Sequence, residues 1–205
     1  SQLKMIGSEL IFPKTTMLSK SFLTDQRFLI LAIVGLLPMV IMNMPLGGVL
    51  LFYEVSLYFS IIWGLFFYTC FKTQQVSLKT TLSVFFLTQI LVFTLWDFTG
   101  LPNLNPFYAL VETSFPINIL GFVFGVGLTE ELVKLLPLIF ILRRTKEPLI
   151  PQTMVFYGLM SGIAFGVYEG VGYQITVNAE QTYDVSFFLN IARLTSLPFL
   201  HACWC

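Results

Sequence analysis

Apolar residues run through the chain in long blocks separated by short polar or basic stretches. A helix needs about 20 apolar residues to cross the hydrocarbon of a bilayer. Six blocks reach roughly that length: 28–46, 49–71, 81–99, 117–142, 153–177 and 187–205. The pattern predicts an all-α fold, a polytopic transmembrane helix bundle of about six spans. Basic residues between the blocks give its orientation. Lys4, Lys14, Lys20 and Arg27 precede the first block, Lys72 and Lys79 follow the second, and Arg143, Arg144 and Lys146 follow the fourth. The alternate connections near 43–48, 97–116 and 178–186 contain no Lys or Arg. That alternation obeys the positive-inside rule and puts the N-terminus in the cytoplasm. Three regions are expected: a cytoplasmic or interfacial segment (1–26), three scaffold spans (27–116) and three spans (117–205) holding most of the intramembrane charge.

Composition agrees with the pattern. Of 205 residues, 56% are hydrophobic and 11% charged, where a soluble domain carries about 25% charged residues. With a mean hydropathy of +0.83, the expected solvent is a lipid bilayer and the expected location a multi-pass integral membrane protein. A formal net charge of zero leaves no basic excess to neutralise phosphates, so nucleic acid is not expected as a partner. Residues 1–26 mix charges with apolar residues and do not predict a cleavable signal peptide. Cys70, Cys203 and Cys205 lie in apolar stretches and suggest no disulfide framework. Cys203 and Cys205 read as packing residues. Trp63, Trp96 and the many phenylalanines read as lipid-facing or interfacial aromatics. Glu54 lies close enough to the outer end of its span to reach the interface.

Nine of the eleven basic residues fall in the cytoplasmic connections; Lys134 and Arg193 do not. They share the last three spans with Glu130, Glu131, Glu169 and His201. Ionisable groups inside a membrane are costly, and they mark function or a partner on another helix. On a helical wheel of about 100° per residue, Lys134 projects between Glu130 and Glu131, one turn further along. One lysine cannot neutralise both acids, so the second carboxylate is expected to be protonated or paired on another helix. Pro137 removes one backbone hydrogen bond beside this group and is expected to kink the helix. In the fifth span Gly158, Gly162, Gly166 and Gly170 recur every four residues, a stripe that lets helix backbones approach closely. Glu169 projects into the same sector, about 20° from Gly158. Counting a rise of about 1.5 Å per residue from the outer ends puts Glu130 at about 20 Å depth and His201 at about 21 Å. The same count puts Glu169 at about 12 Å and Arg193 at about 9 Å. Two layers are therefore expected: Glu130, Glu131, Lys134 and His201 in one, and Glu169 paired with Arg193 in the other.

Three pieces in order resemble the PrsW family of intramembrane proteases, within the wider group of CAAX prenyl proteases and bacteriocin-processing enzymes. They are Glu130-Glu131-Leu132-Val133-Lys134, the Gly158–Glu169 stretch, and Arg193 with His201, Ala202 and Trp204. Gly170 stands where the family has asparagine. The family's last helix continues beyond the point, four residues after His201, at which this chain stops. The resemblance implies a protease acting on a membrane-embedded or membrane-proximal protein substrate, such as an anti-sigma factor cut at a first site. It also implies a bacterial inner membrane.

The residues themselves suggest a mechanism. One of Glu130 and Glu131 activates a water for attack on a peptide carbonyl. His201 donates to the developing oxyanion or helps hold the water. Lys134 keeps one carboxylate ionised, and Arg193 fixes Glu169, which lines the cavity or shares the base role. A divalent metal such as zinc is compatible with Glu130, Glu131, Glu169 and His201 as ligands. No helix carries a His-x-x-x-His pair, which favours a mechanism without a metal cofactor. The alternatives are an ion- or proton-coupled transporter or channel, which uses similar buried charges, and a non-catalytic binding scaffold on the same fold. A transporter is expected to show an internal repeat, and none is visible.

Overall fold

The computed structural model describes residues 49–204 apart from Lys146, together with Gln26, Ile30 and residues 33–35. The 1–26 segment apart from Gln26, most of the 28–46 block, the connection near 43–48 and Cys205 lie outside the described residues. The rest is helical, with no strand among the described residues. Among the described residues, three helical stretches are long and apolar enough to cross a membrane: Val49–Phe71, Leu78–Phe98 and Pro151–Glu180. The six-span count and the cytoplasmic N-terminus remain expectations of the sequence.

Helix α1 (Val49–Phe71) coincides with the second apolar block. Helix α2 (Leu78–Phe93) starts at Ser77, whose hydroxyl accepts the Thr80 N–H and so satisfies one of the free donors of a helix start. A π-helical turn, Thr94–Phe98, extends it. The next connection folds back as a short α3 (Leu101–Leu104) and a 3-10 turn, Tyr108–Glu112. Helix α4 (Ile117–Leu120) runs through a π-helical stretch, Gly121–Gly127, into α5 (Leu128–Leu142). Helix α6 (Pro151–Ile175) opens on a proline, whose missing N–H costs nothing at that position. Helix α7 (Tyr183–Trp204) ends the described chain.

The π-helical stretch is held from outside. A Cβ on Gly121 would lie 2.4 Å from the Val111 nitrogen, and one on Gly125 2.8 Å from Tyr108 backbone. Only glycine lets the 3-10 turn lie this close. Asn105 donates to the Phe124 carbonyl at 2.8 Å and to the Thr129 hydroxyl at 2.9 Å, satisfying an acceptor that the widened helix presents.

Helix α6 is the centre of the bundle, packing on α1, α2, α5 and α7. In the 18-residue apolar window of that span 78% is buried, against 33% for α1 and 17% for α2. Helices α5 and α7 both lie on α6 and share at most a marginal contact with each other. The α6–α7 seam is set by the glycine stripe. A Cβ on Gly162 would be 2.3 Å from the His201 carbonyl oxygen, one on Gly166 2.7 Å from that of Leu197, and one on Gly170 3.4 Å from that of Arg193. The two helices are therefore antiparallel and diverge towards Gly170.

On its other side α6 meets α1 and α2 less closely. A cavity of about 530 Å³ lies between them, lined by Leu57, Ile61, Leu65, Phe85, Phe86 and Met160 among others. Near one end the turns are tied together through Gln75. Its side chain accepts the Ile150 N–H at 2.9 Å and donates to the Pro148 carbonyl at 3.2 Å. The Tyr157 hydroxyl donates to the Gln75 carbonyl at 3.2 Å and accepts the Ser77 N–H at 3.1 Å.

Candidate active site

Helix α5 brings three ionisable groups onto one face. Lys134 is fully buried, with its ammonium 2.6 Å from Glu131 and 4.0 Å from Glu130. It lies between the two acids, as the wheel indicates. The two carboxylates are not equivalent. The Glu131 side chain is 41% exposed and Glu130 only 15%. The lysine backbone carbonyl is fixed as well, accepting the Ser161 hydroxyl of α6 at 2.7 Å. Ser161 in turn meets Thr88 of α2 at 2.9 Å. Three helices are thus joined by polar contacts directly behind the acids.

Across α6, Glu169 accepts a hydrogen bond from His201 Nε2. This corrects the expected pairing of Glu169 with Arg193, and with it the two layers. Arg193 instead stacks its guanidinium on Tyr173, 3.8 Å from the ring centre, and its Nη1 is buried without a hydrogen-bond partner. The reason is side-chain direction. Gly170 is level with Arg193 and Gly162 with His201, so Glu169 and His201 start about 10 Å apart along the seam. Side chains lean towards the N-terminus of their own helix. In an antiparallel pair, Glu169 and His201 therefore lean towards one another, while Arg193 leans away from Glu169 towards Tyr173.

The two halves adjoin. Glu130 is close enough to Glu169 to feel its charge, and Tyr173 lies within electrostatic reach of Glu169, Glu130 and Arg193. Phe165, buried, stands between them: its ring centre is 4.7 Å from the Lys134 ammonium and 5.1 Å from the His201 ring. Phe165 and Tyr173, each one turn from Glu169 on α6, were not singled out by the sequence, although their i±4 spacing from that acid is a usable signal. His201 is buried, and its Nδ1 has no hydrogen-bond partner among the described residues.

Other expectations need correcting. Cys203 is exposed, not packed. Trp63 donates to the Thr195 carbonyl at 2.7 Å and packs on Phe199, while Trp96 packs on Phe165. Both indoles hold helices together, because each finds a partner ring inside the bundle. Glu54 is exposed near the start of α1, as expected.

The model of the PrsW family intramembrane metalloprotease matches residues 54–205, more than half of the chain and every residue of the candidate site. The chain belongs to the PrsW family. Membership makes it a membrane-embedded peptidase, a hydrolase, with a membrane protein as its class of substrate and lipid as its surroundings. No curated protein and no solved structure gives a match. The family description is compatible with a divalent metal. Among the described residues, however, no three His, Cys, Asp or Glu side chains are grouped so that they could hold an ion. Lys134 occupies the space facing Glu130 and Glu131, and His201 is turned towards Glu169 alone. As arranged, the donors form two sets and not one coordination sphere.

Proposed function

We propose that this chain is an intramembrane endopeptidase that hydrolyses a membrane-embedded or membrane-proximal protein segment with a glutamate-activated water. The observation that carries this reading is the hydrogen bond of His201 to Glu169, beside Glu130. It pairs an acid and a base across two helices, with the acid of a third within reach of their charge, in a chain of this family.

The roles follow from the surroundings. Glu131 is engaged by Lys134 at 2.6 Å, which keeps that carboxylate occupied. Glu130, further from the ammonium and more sheltered, is the base that takes a proton from water as its oxygen attacks the peptide carbonyl carbon. Glu169 holds His201 in orientation and balances its positive charge. The His201 Nδ1 then donates to the oxyanion of the tetrahedral intermediate. As that intermediate collapses, the carbon–nitrogen bond breaks and Glu130 returns the proton to the leaving amine.

The substrate class is a bacterial inner-membrane protein of the anti-sigma-factor kind, cleaved at a first site. A tagged single-span membrane reporter, co-expressed with the chain, tests the reading. Glu130→Gln, Glu169→Gln and His201→Ala should each abolish the cleaved band while the variants stay folded in detergent. Full cleavage in all three overturns it. Elemental analysis of the purified chain, with and without a chelator in the cleavage assay, decides whether a divalent metal takes part.

A further inference from the structure

The arrangement of helices around α6 has an open side. Helices α7, α1, α2 and α5 lie around it; α7 packs on α1 and α2 on α5, whereas α1 and α2 are separated by the cavity and α5 and α7 by a second opening. The acids face this opening. On α5, Val133 packs with Val92 of α2 and Phe165 of α6. Glu131 and Leu135 project from the opposite side of that helix, away from α2. On α7, Phe199 packs on Trp63 and Phe67 of α1, which turns Arg193 and Leu200 away from α1 and towards α5. Between these two walls lie Glu130 and Glu169, whose side chains are 15% and 24% exposed.

We infer that the slot between α5 and α7 is where the substrate segment enters from the bilayer, and that it binds there as an extended strand of peptide. The inference rests on the proteolytic reading and adds a route and a conformation to it. The physical basis is the backbone. A helix in lipid satisfies its own N–H and C=O groups, and a segment unwound for hydrolysis must find replacements on the protein. The slot offers both kinds. Glu131, 41% exposed, has a second acceptor oxygen beyond the one that meets Lys134. Arg193 has a buried donor, Nη1, with no hydrogen-bond partner among the described residues. Leu135 and Leu200, 45% and 38% exposed, supply apolar walls for the side chains between. The cavity beside α1 and α2 offers the opposite character. Its described lining is apolar apart from a few hydroxyls, such as those of Ser60 and Thr81, which suits a lipid tail or an intact helix but leaves an extended backbone without partners.

The experiment places a photoreactive phenylalanine analogue at Leu135 or Leu200 in the slot, and at Ile61 or Phe86 in the cavity, all in a Glu130→Gln chain. The probe is the tagged single-span reporter, whose cleavage by the unaltered chain is recorded first. Adducts to the reporter are expected from Leu135 and Leu200 and not from Ile61 or Phe86. Adducts confined to Ile61 and Phe86, or none from the slot, overturn the route while leaving the proteolytic reading in place. No cleavage by the unaltered chain overturns the reading itself. A second measurement uses a chain with Cys70, Cys203 and Cys205 replaced by alanine. Joining L135C to L200C by a flexible bis-maleimide should reduce cleavage at least tenfold. Each single cysteine variant treated alike sets the reference rate for the joined chain, and undiminished cleavage after joining counts against the route.

Discussion

Helix α6 presents two very different faces. Towards α7 it is stripped to glycine, and backbone meets backbone so closely that a single added methyl would collide with the His201 carbonyl. Towards α1 and α2 it carries Met160 and Ile163 and leaves a cavity of about 530 Å³. The contrast teaches where position matters. Lipid tails are as apolar as the side chains they would replace, so loose packing against the α1–α2 face costs little. The α7 face must hold a hydrogen bond between two side chains that start about 10 Å apart along the seam, and small errors in register there are not absorbed.

The sharpest way to break that contrast is Gly162→Val. It should push α7 outward, cost about 3 kcal/mol and abolish reporter cleavage, read by thermal unfolding in detergent alongside the assay. Next is Lys134→Met, which leaves Glu130 and Glu131 side by side without their cation. A loss of about 2 kcal/mol is expected, together with loss of cleavage. Ser161→Ala removes the hydroxyl between Lys134 and Thr88 and should cost about 1 kcal/mol. Smallest is Gly64→Ala in the cavity wall, where an added Cβ meets Met160 atoms at 3.8 Å. It should change stability by less than about 0.5 kcal/mol and leave cleavage intact. If Gly64→Ala and Gly162→Val destabilise equally, the two faces do not differ as described.

Much of this was legible from the chain alone. The Val49–Phe71 helix follows from a long apolar run broken by Glu54 and a few small polar residues, and the place of Lys134 between two acids follows from helical geometry. The glycine spacing foretold a close seam. Partner choice across that seam was not legible. Counting depth from span ends treats side chains as points at their own level, whereas Glu169 and His201 reach towards each other and Arg193 reaches the other way. The π-helical stretch at Gly121–Gly127 was hidden too, because a change of helical period leaves no mark in an apolar run. Nor could the sequence show that Trp63 and Trp96 turn inward, since an indole suits a lipid interface and a ring-lined interior alike.

The tie at Gln75 has a mechanical consequence. By gripping Pro148 and Ile150, it anchors the loop that follows α5, as Asn105 grips Phe124 and Thr129 at the other end. A helix of 15 residues, about 22 Å long, is thus a beam supported at both ends and not a lever. Glu130 and Glu131 lie within one turn of the Thr129 support, where such a beam would deflect least.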